Sequence, residues 1–181
     1  ARRMVLGQKN DPLAGRADAL VGAARLIASE AYMDALEEFS FMRDVRDTEG
    51  GIKHWCFILT IAGIFVAITR LRNLNLEKDR EQKLTATVAE QLSEWSPTNG
   101  MRGFAHCKSF FEKTYDALAA EGSEPQFVSS DSIGMWIAWD VLDRPPASEE
   151  ERRFVRTVGL LVTRSFFDWW EDKPSNGCGV S

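Results

Sequence analysis

The chain has 181 residues, of which 44% are hydrophobic and 27% are charged, and it carries a net charge of −5. This length and composition are typical of one folded globular domain and argue against a disordered chain. The negative charge argues against general nucleic-acid binding, which requires a basic surface that displaces counterions from phosphates. Three cysteines are too few for a disulfide framework, and we therefore expect a reducing, cytoplasmic compartment.

The first predicted helix begins at Asp11 and Pro12, a cap followed by a proline in the first turn. Small and apolar residues recur along it at steps of three or four and indicate one buried stripe, namely Leu20, Ala24, Ile27, Ala31, Ala35, Phe39 and Met42. Another side of the same helix carries four acidic residues, Glu30, Asp34, Glu37 and Glu38. The paired glycines Gly50 and Gly51 predict the end of this helix.

The next predicted helix, from about Gly51 to Arg72, contains a run of 15 uncharged residues from Trp55 to Thr69. At 1.5 Å per residue this run is about 22 Å long, whereas a bilayer core of roughly 30 Å usually requires about 20 residues. We therefore predict a core helix in a soluble protein. A membrane span over 53–72 is the alternative, because a helix that is apolar all round also suits lipid. One face is lined by small residues, which let another helix approach closely, at Cys56, Thr60, Gly63 and Ala67.

Two amphipathic helices are predicted next, because the segments 76–95 and 104–118 both carry a one-sided apolar stripe. Gly122 predicts the end of the second of them. The polar stretch SEPQFVSSDS, residues 123–132, is predicted to be a linker, and the aromatic stretch IGMWIAWDVL, residues 133–142, a short helix.

The last helix is predicted to begin at Ser148, because a glutamate stands three residues later and completes a capping box. Together the segments predict an all-α fold of about six helices packed around the central helix, in an orthogonal or bundle-like arrangement. We expect a loose N-terminal arm over 1–10, a single helical domain over 11–172 and a flexible C-terminal tail over 173–181.

Each of the two histidines lies within two residues of a cysteine, which gives four candidate metal ligands, His54, Cys56, His106 and Cys107. A His2Cys2 set has the ligand types of a zinc site. However, His54 and Cys56 are two positions apart, so on a helix their side chains point about 200° away from each other and cannot bind one ion. Cys107 falls on an apolar stripe, where a thiol is normally a small buried hydrophobic group. The four acidic residues of the first helix lack the Glu-x-x-His spacing of di-iron bundles and are predicted to form a solvated face. We therefore expect no metal and no cofactor.

Six tryptophans and eleven phenylalanines include several adjacent pairs. Adjacent helical residues point about 100° apart, so one core does not easily take both members of every pair. We expect some of this aromatic surface to face a partner, a ligand pocket or a second subunit, and filling of the core alone is the alternative. The candidate residues are Phe110, Trp136, Trp139, Asp140 and Trp170. If Asp140 is buried, it either pairs with an arginine or has a raised pKa, and such groups cluster at functional sites. The favoured alternative is a surface acid near a helix end or a structural ion pair with the arginine-bearing last helix.

The sequence contains no nucleophile elbow, phosphate loop, dinucleotide fingerprint or helix-turn-helix reader. The preferred hypothesis is a non-enzymatic binding module that uses its aromatic surface to hold a protein partner, its own copy or an apolar small molecule. One alternative is a membrane-anchored subunit with a single span. The other is a metal-dependent enzyme that uses the histidines and cysteines or the acidic cluster.

Overall fold

The computed structural model describes residues 12–47, 51–71, 76–95 and 100–171. Within these ranges the chain forms seven helices and no strand, which confirms the all-α prediction. The helices are α1 (Pro12–Glu38), α2 (Met42–Asp47), α3 (Gly51–Leu71), α4 (Lys78–Trp95), α5 (Gly100–Ala120), α6 (Pro125–Leu142) and α7 (Glu149–Phe166). The predicted arm, the predicted tail and the proposed cap Asp11 lie outside the described residues.

Helix α3 lies at the centre of the fold, as predicted. Every residue from Ile58 to Ile68 is buried, and the helix packs against α1, α2, α5, α6 and α7. Burial of one large aliphatic or aromatic side chain contributes about 1.5–3 kcal/mol, so the buried Ile, Leu, Phe and Val side chains of this segment contribute strongly to the stability of the fold. In the described ranges it is also the one helix long and apolar enough to cross a membrane, with a mean hydropathy of 1.8 and 67% of that stretch buried.

The small face of α3 receives α7 and the turn that follows it. A Cβ atom on Gly63 would lie 2.6 Å from the ring of Phe166, so only glycine leaves room for that ring. Beyond α7, the indole Nε1 of Trp170 donates to the carbonyl of Ala67 at 2.7 Å. At Gly63 the predicted close approach of another helix is therefore made through the Phe166 ring of α7, and at Ala67 the indole of Trp170, from the turn after α7, makes the contact.

The linker predicted over 123–132 is wrong, because α6 already begins at Pro125. Gly122 ends α5 as predicted, with a φ of 79° that favours glycine. The serines that favoured a loop instead bond within the helix: the hydroxyl of Ser130 donates to the Phe127 carbonyl and that of Ser132 to the Val128 carbonyl. Such bonds satisfy the hydroxyls without interrupting the helix.

Tertiary contact with α7 explains why this polar stretch is helical. Gly134 lies against the backbone of α7 at Val155, and Gly159 lies against the backbone of α6 at Ser130, with no space for a Cβ atom at either glycine. An ion pair also joins the two helices: the guanidinium of Arg156 in α7 donates two hydrogen bonds, of 2.6 and 2.7 Å, to the carboxylate of Asp131 in α6. Packing of this kind outweighs local propensity.

The first predicted helix is divided in two at Ser40. α1 ends at Glu38, and α2 is the additional seventh helix. The backbone N–H and the hydroxyl of Ser40 donate, each at 2.7 Å, to the two carboxylate oxygens of Glu150. A glutamate in the first turn of α7 therefore satisfies a backbone donor that a continuous helix would have used, and the chain turns at this point.

Candidate functional site

Several of the predicted site residues meet where the start of α3 approaches α5 and the end of α6; we call this region the histidine corner, made of His54, His106, Phe110, Trp136, Trp139 and Asp140. The Nε2–H of His54 donates to the backbone carbonyl of Asp140 at 3.1 Å. Because the last carbonyls of a helix have no partner within it, His54 serves as a cap for α6. The rings of Phe110 and Trp139 make an edge contact, with centroids 5.5 Å apart.

The imidazole of His106 is held by Trp136. The indole Nε1 of Trp136 donates to Nδ1 of His106 at 3.2 Å, so Nδ1 is the acceptor in this contact. Nδ1 of His106 also lies 4.0 Å from Oδ2 of Asp140. The structure therefore places a histidine beside Asp140, where the sequence suggested an arginine, and Arg156 of the last helix pairs with Asp131 instead.

Burial raises the pKa of the Asp140 carboxyl, and the nearby histidines oppose this rise. Its Oδ2 atom is buried and has no hydrogen-bond partner among the described residues. The neighbouring thiol of Cys107 is buried as well, and burial, followed by the charge of Asp140, raises its pKa well above the usual value. A thiol with a raised pKa stays protonated at neutral pH and is a poor nucleophile and metal ligand.

The structure does not bring the predicted metal ligands together as a set. Across the described ranges, no three His, Cys, Asp or Glu side chains are placed to share an ion. Cys56 lies on the small face of α3, where its carbonyl accepts a hydrogen bond from the hydroxyl of Thr60. Of the aromatic candidates, Trp136 and Trp170 are buried, whereas Trp139 is 42% exposed. Trp170 lies away from the histidine corner, against Ala67.

A groove of about 270 Å³ lies between α1 and α7, and sequence reasoning did not identify it. Its floor and walls are apolar and include rings from the centre of the fold; they comprise Ile27, Ala31, Ala35, Phe39, Trp55, Phe154, Val158 and Leu161. We call it the α1–α7 groove. It is open because α1 contributes two alanines, one turn apart, where larger side chains would fill the space. Leu161 of α7 is 37% exposed at its edge.

The aromatic floor is held rigidly. The rings of Phe39 and Phe154 make an edge-to-face contact, with centroids 5.1 Å apart, and Trp55 packs on Phe154 at 6.0 Å. The indole Nε1 of Trp55 donates to the carbonyl of Ala28 at 2.9 Å, which fixes α1 on α3. A preformed floor costs little entropy when a ligand binds.

The rim of the groove on the α1 side is acidic. Glu30, Asp34 and Glu38 line it, whereas Glu37, the fourth acid predicted in this group, does not. All four are exposed, so the face is solvated as predicted, but three of its members border an apolar groove. Their i, i+4, i+8 spacing beside two alanines was the sequence signal that would have located it.

The chain places a cation of its own at one end of the groove. The guanidinium carbon of Arg153 lies 5.2 Å from the centroid of the Phe39 ring. Its Nη2 donates to the backbone carbonyl of Glu38 at 3.4 Å. The last turn of α1, where the helix dipole is negative, is therefore already in contact with a positive group.

A second, smaller cavity of about 150 Å³ lies between α3, α5, α6 and α7. Arg70 and Thr163 line it, and both Nε of Arg70 and Oγ1 of Thr163 are buried with no hydrogen-bond partner in the described part of the chain. A cavity of this size with such polar atoms is suited to ordered water. The guanidinium of Arg70 is otherwise engaged, by the carboxylate of Glu171 at 2.7 Å.

Comparison with known proteins adds no assignment: the chain matches no protein-family model, no curated protein and no solved structure. Its function therefore has to be inferred from the chemistry of the histidine corner and of the α1–α7 groove.

Proposed function

We propose that the protein is a non-enzymatic helical binding module and that the α1–α7 groove holds its ligand, an apolar small molecule. The observation that carries this proposal is the groove itself, about 270 Å³ of space above a floor of buried aromatic rings. Small-molecule pockets are typically 300–1,000 Å³, mostly apolar, with a few polar groups that orient the ligand. The α1–α7 groove is close to the lower limit of that range and matches the composition.

The histidine corner gives less support to an activity of its own. His54 caps α6, His106 accepts a hydrogen bond from Trp136, and Cys107 is buried with a raised pKa. Each of these groups therefore has a structural role that accounts for its position. A general base needs a reacting proton within hydrogen-bond reach, and the contacts of these side chains favour a scaffold over a reaction centre.

The groove is tested by filling it. Thr157 lines the groove and is exposed, so Thr157→Trp places an indole in the space without removing core contacts. A neutral dye that fluoresces only in apolar surroundings is expected to bind the native protein with one site and to lose that site in the variant. Leu26→Trp is the matched control, because Leu26 is 60% exposed on α1 and does not line the groove. Equal dye binding by native protein and Thr157→Trp would exclude the groove.

A membrane-anchored subunit is the second candidate, and the apolar character of α3 favours it. In that case the segment 53–72 would be the span. Its 67% burial against the other helices favours the core-helix interpretation, because a span would have to exchange these contacts for lipid. We therefore propose the cytoplasmic, ligand-binding module first.

A further inference from the structure

The acidic rim of the α1–α7 groove is unfavourable for the stability of α1. Glu30 lies one turn from Asp34, and Asp34 one turn from Glu38, and like charges spaced i, i+4 destabilise a helix. Glu38 is also the last residue of α1, where the helix dipole disfavours negative charge. Neither Glu30 nor Asp34 forms an ion pair with any residue that the structure describes. Among the described residues, no ion pair therefore offsets the repulsion at Glu30 and Asp34.

A positive ligand would relieve this repulsion. The carboxylates of Glu30 and Asp34 belong to residues that rise about 6 Å along the helix axis, so one ammonium head can lie between them. The apolar lining of the groove lies beside these carboxylates and can take the apolar body of the same ligand. At the other end of the rim the fold already holds a cation, because the guanidinium of Arg153 lies over the ring of Phe39 and beside Glu38.

From these contacts we infer that the α1–α7 groove selects an amphiphilic organic cation, with an ammonium head between Glu30 and Asp34 and an apolar body over the floor. The inference rests on the proposed function and adds the class of ligand. A divalent metal ion does not suit the site, since two carboxylates one turn apart do not assemble a coordination shell and no described third ligand joins them.

Three probes of the same shape separate charge from apolar burial: 4-phenylbutylamine, 4-phenylbutan-1-ol and 4-phenylbutyrate. Titration calorimetry of the full chain at neutral pH and physiological salt measures their affinities. The amine is expected to bind about tenfold more tightly than the alcohol, because each of the two exposed charge pairs contributes about threefold in affinity. The carboxylate is expected to bind most weakly.

Two variants with equal net charge locate the effect. Asp34→Asn is expected to weaken amine binding about threefold and to leave alcohol binding unchanged. The same substitution removes two repulsive i, i+4 pairs, so the thermal midpoint should rise and unfolding cannot explain the loss. Glu37→Gln makes the same change in net charge outside the groove and is expected to leave both affinities unchanged.

Each other outcome overturns a different statement. If amine and alcohol bind equally and both are lost in Thr157→Trp, the groove is a neutral apolar site; the cation inference is then wrong and the proposed function stands. If Glu37→Gln weakens amine binding as much as Asp34→Asn does, the amine responds only to the overall negative charge of the protein. If none of the three probes binds the native protein, the proposed function fails as well.

Discussion

The Glu151 carboxylate accepts four hydrogen bonds at the start of α7. Two come from the guanidinium of Arg144, at 2.6 and 3.0 Å, and two from the backbone N–H groups of Ala147 and Ser148. The hydroxyl of Ser148 accepts in return from the N–H of Glu151, which completes the capping box that the sequence predicted. The guanidinium first, and then the backbone donors, lower the pKa of Glu151 from 4.5 to about 2.

Because the pKa of Glu151 is lowered in the folded state, we expect its contribution to stability to depend on pH. A carboxylate with a lowered folded-state pKa contributes stability that is complete above pH 4.5 and is lost as the pH falls toward about 2. Glu151→Gln is expected to reduce the free energy of unfolding by about 1–2 kcal/mol at pH 7 and by less at pH 2.5. Urea unfolding at both pH values measures the two differences. Glu149→Gln, in the same turn of α7, is the control and should show a much smaller effect.

The histidine corner illustrates at the same scale what residue types can and cannot indicate. Asp140 was singled out as a group whose environment would decide its protonation, and burial does raise its pKa. The histidine–cysteine pairs suggested a metal site by residue type but not by spacing, and in the structure one histidine caps α6 while the other accepts a hydrogen bond from an indole. The roles of the histidines depend on contacts between helices that are distant in sequence, and residue types alone do not indicate such contacts.

Two glycines allow the backbones of α6 and α7 to lie in direct contact. The backbones meet at Gly134 and Gly159, and this contact keeps a serine-rich segment helical. The same two helices are joined by the bidentate pair of Asp131 and Arg156 and by the stacking of Arg156 on Phe127 at 4.1 Å. Any side chain at these glycines must push the two helices apart.

Two glycine-to-alanine substitutions should therefore change the free energy of unfolding in opposite directions. Gly134→Ala is expected to lower the free energy of unfolding by at least about 1–3 kcal/mol, because its methyl group meets the α7 backbone. Gly22→Ala, in α1, has nothing within 4 Å of the added methyl group and should raise the free energy of unfolding by about 0.5–1 kcal/mol. Thermal and urea unfolding of the three proteins provide the comparison. A neutral Gly134→Ala would contradict the close contact.

The whole molecule is organised by α3, whose middle is buried from Ile58 to Ile68 by five other helices. If those helices shield α3 in the cell as they do in the structure, the protein does not need lipid. We therefore expect it to leave the membrane fraction when cell membranes are extracted with alkaline carbonate, and to stay monodisperse in buffer without detergent. Retention in the carbonate pellet, beside a known integral protein as control, would favour the membrane candidate instead.

The sequence by itself determined the features that depend on neighbouring residues along one helix. The apolar run from Trp55 to Thr69 predicted the central helix, Gly122 predicted the end of α5, and Ser148 predicted the beginning of α7. In each of these cases the hydrogen bonds or the periodicity involve residues within a few positions of one another, and a local pattern is then sufficient.

Only the tertiary structure decided that residues 125–132 are helical, that α1 ends near Ser40, and that Ala31 and Ala35 border a groove. The helical serines depend on α7, the turn at Ser40 on Glu150, and the groove on the distance between α1 and α7. The partners in these contacts are far apart in the chain: Gly134 meets the backbone of Val155, and Ser40 is 110 positions from Glu150. Their energies come from packing and desolvation between helices, which no local pattern of residue types contains.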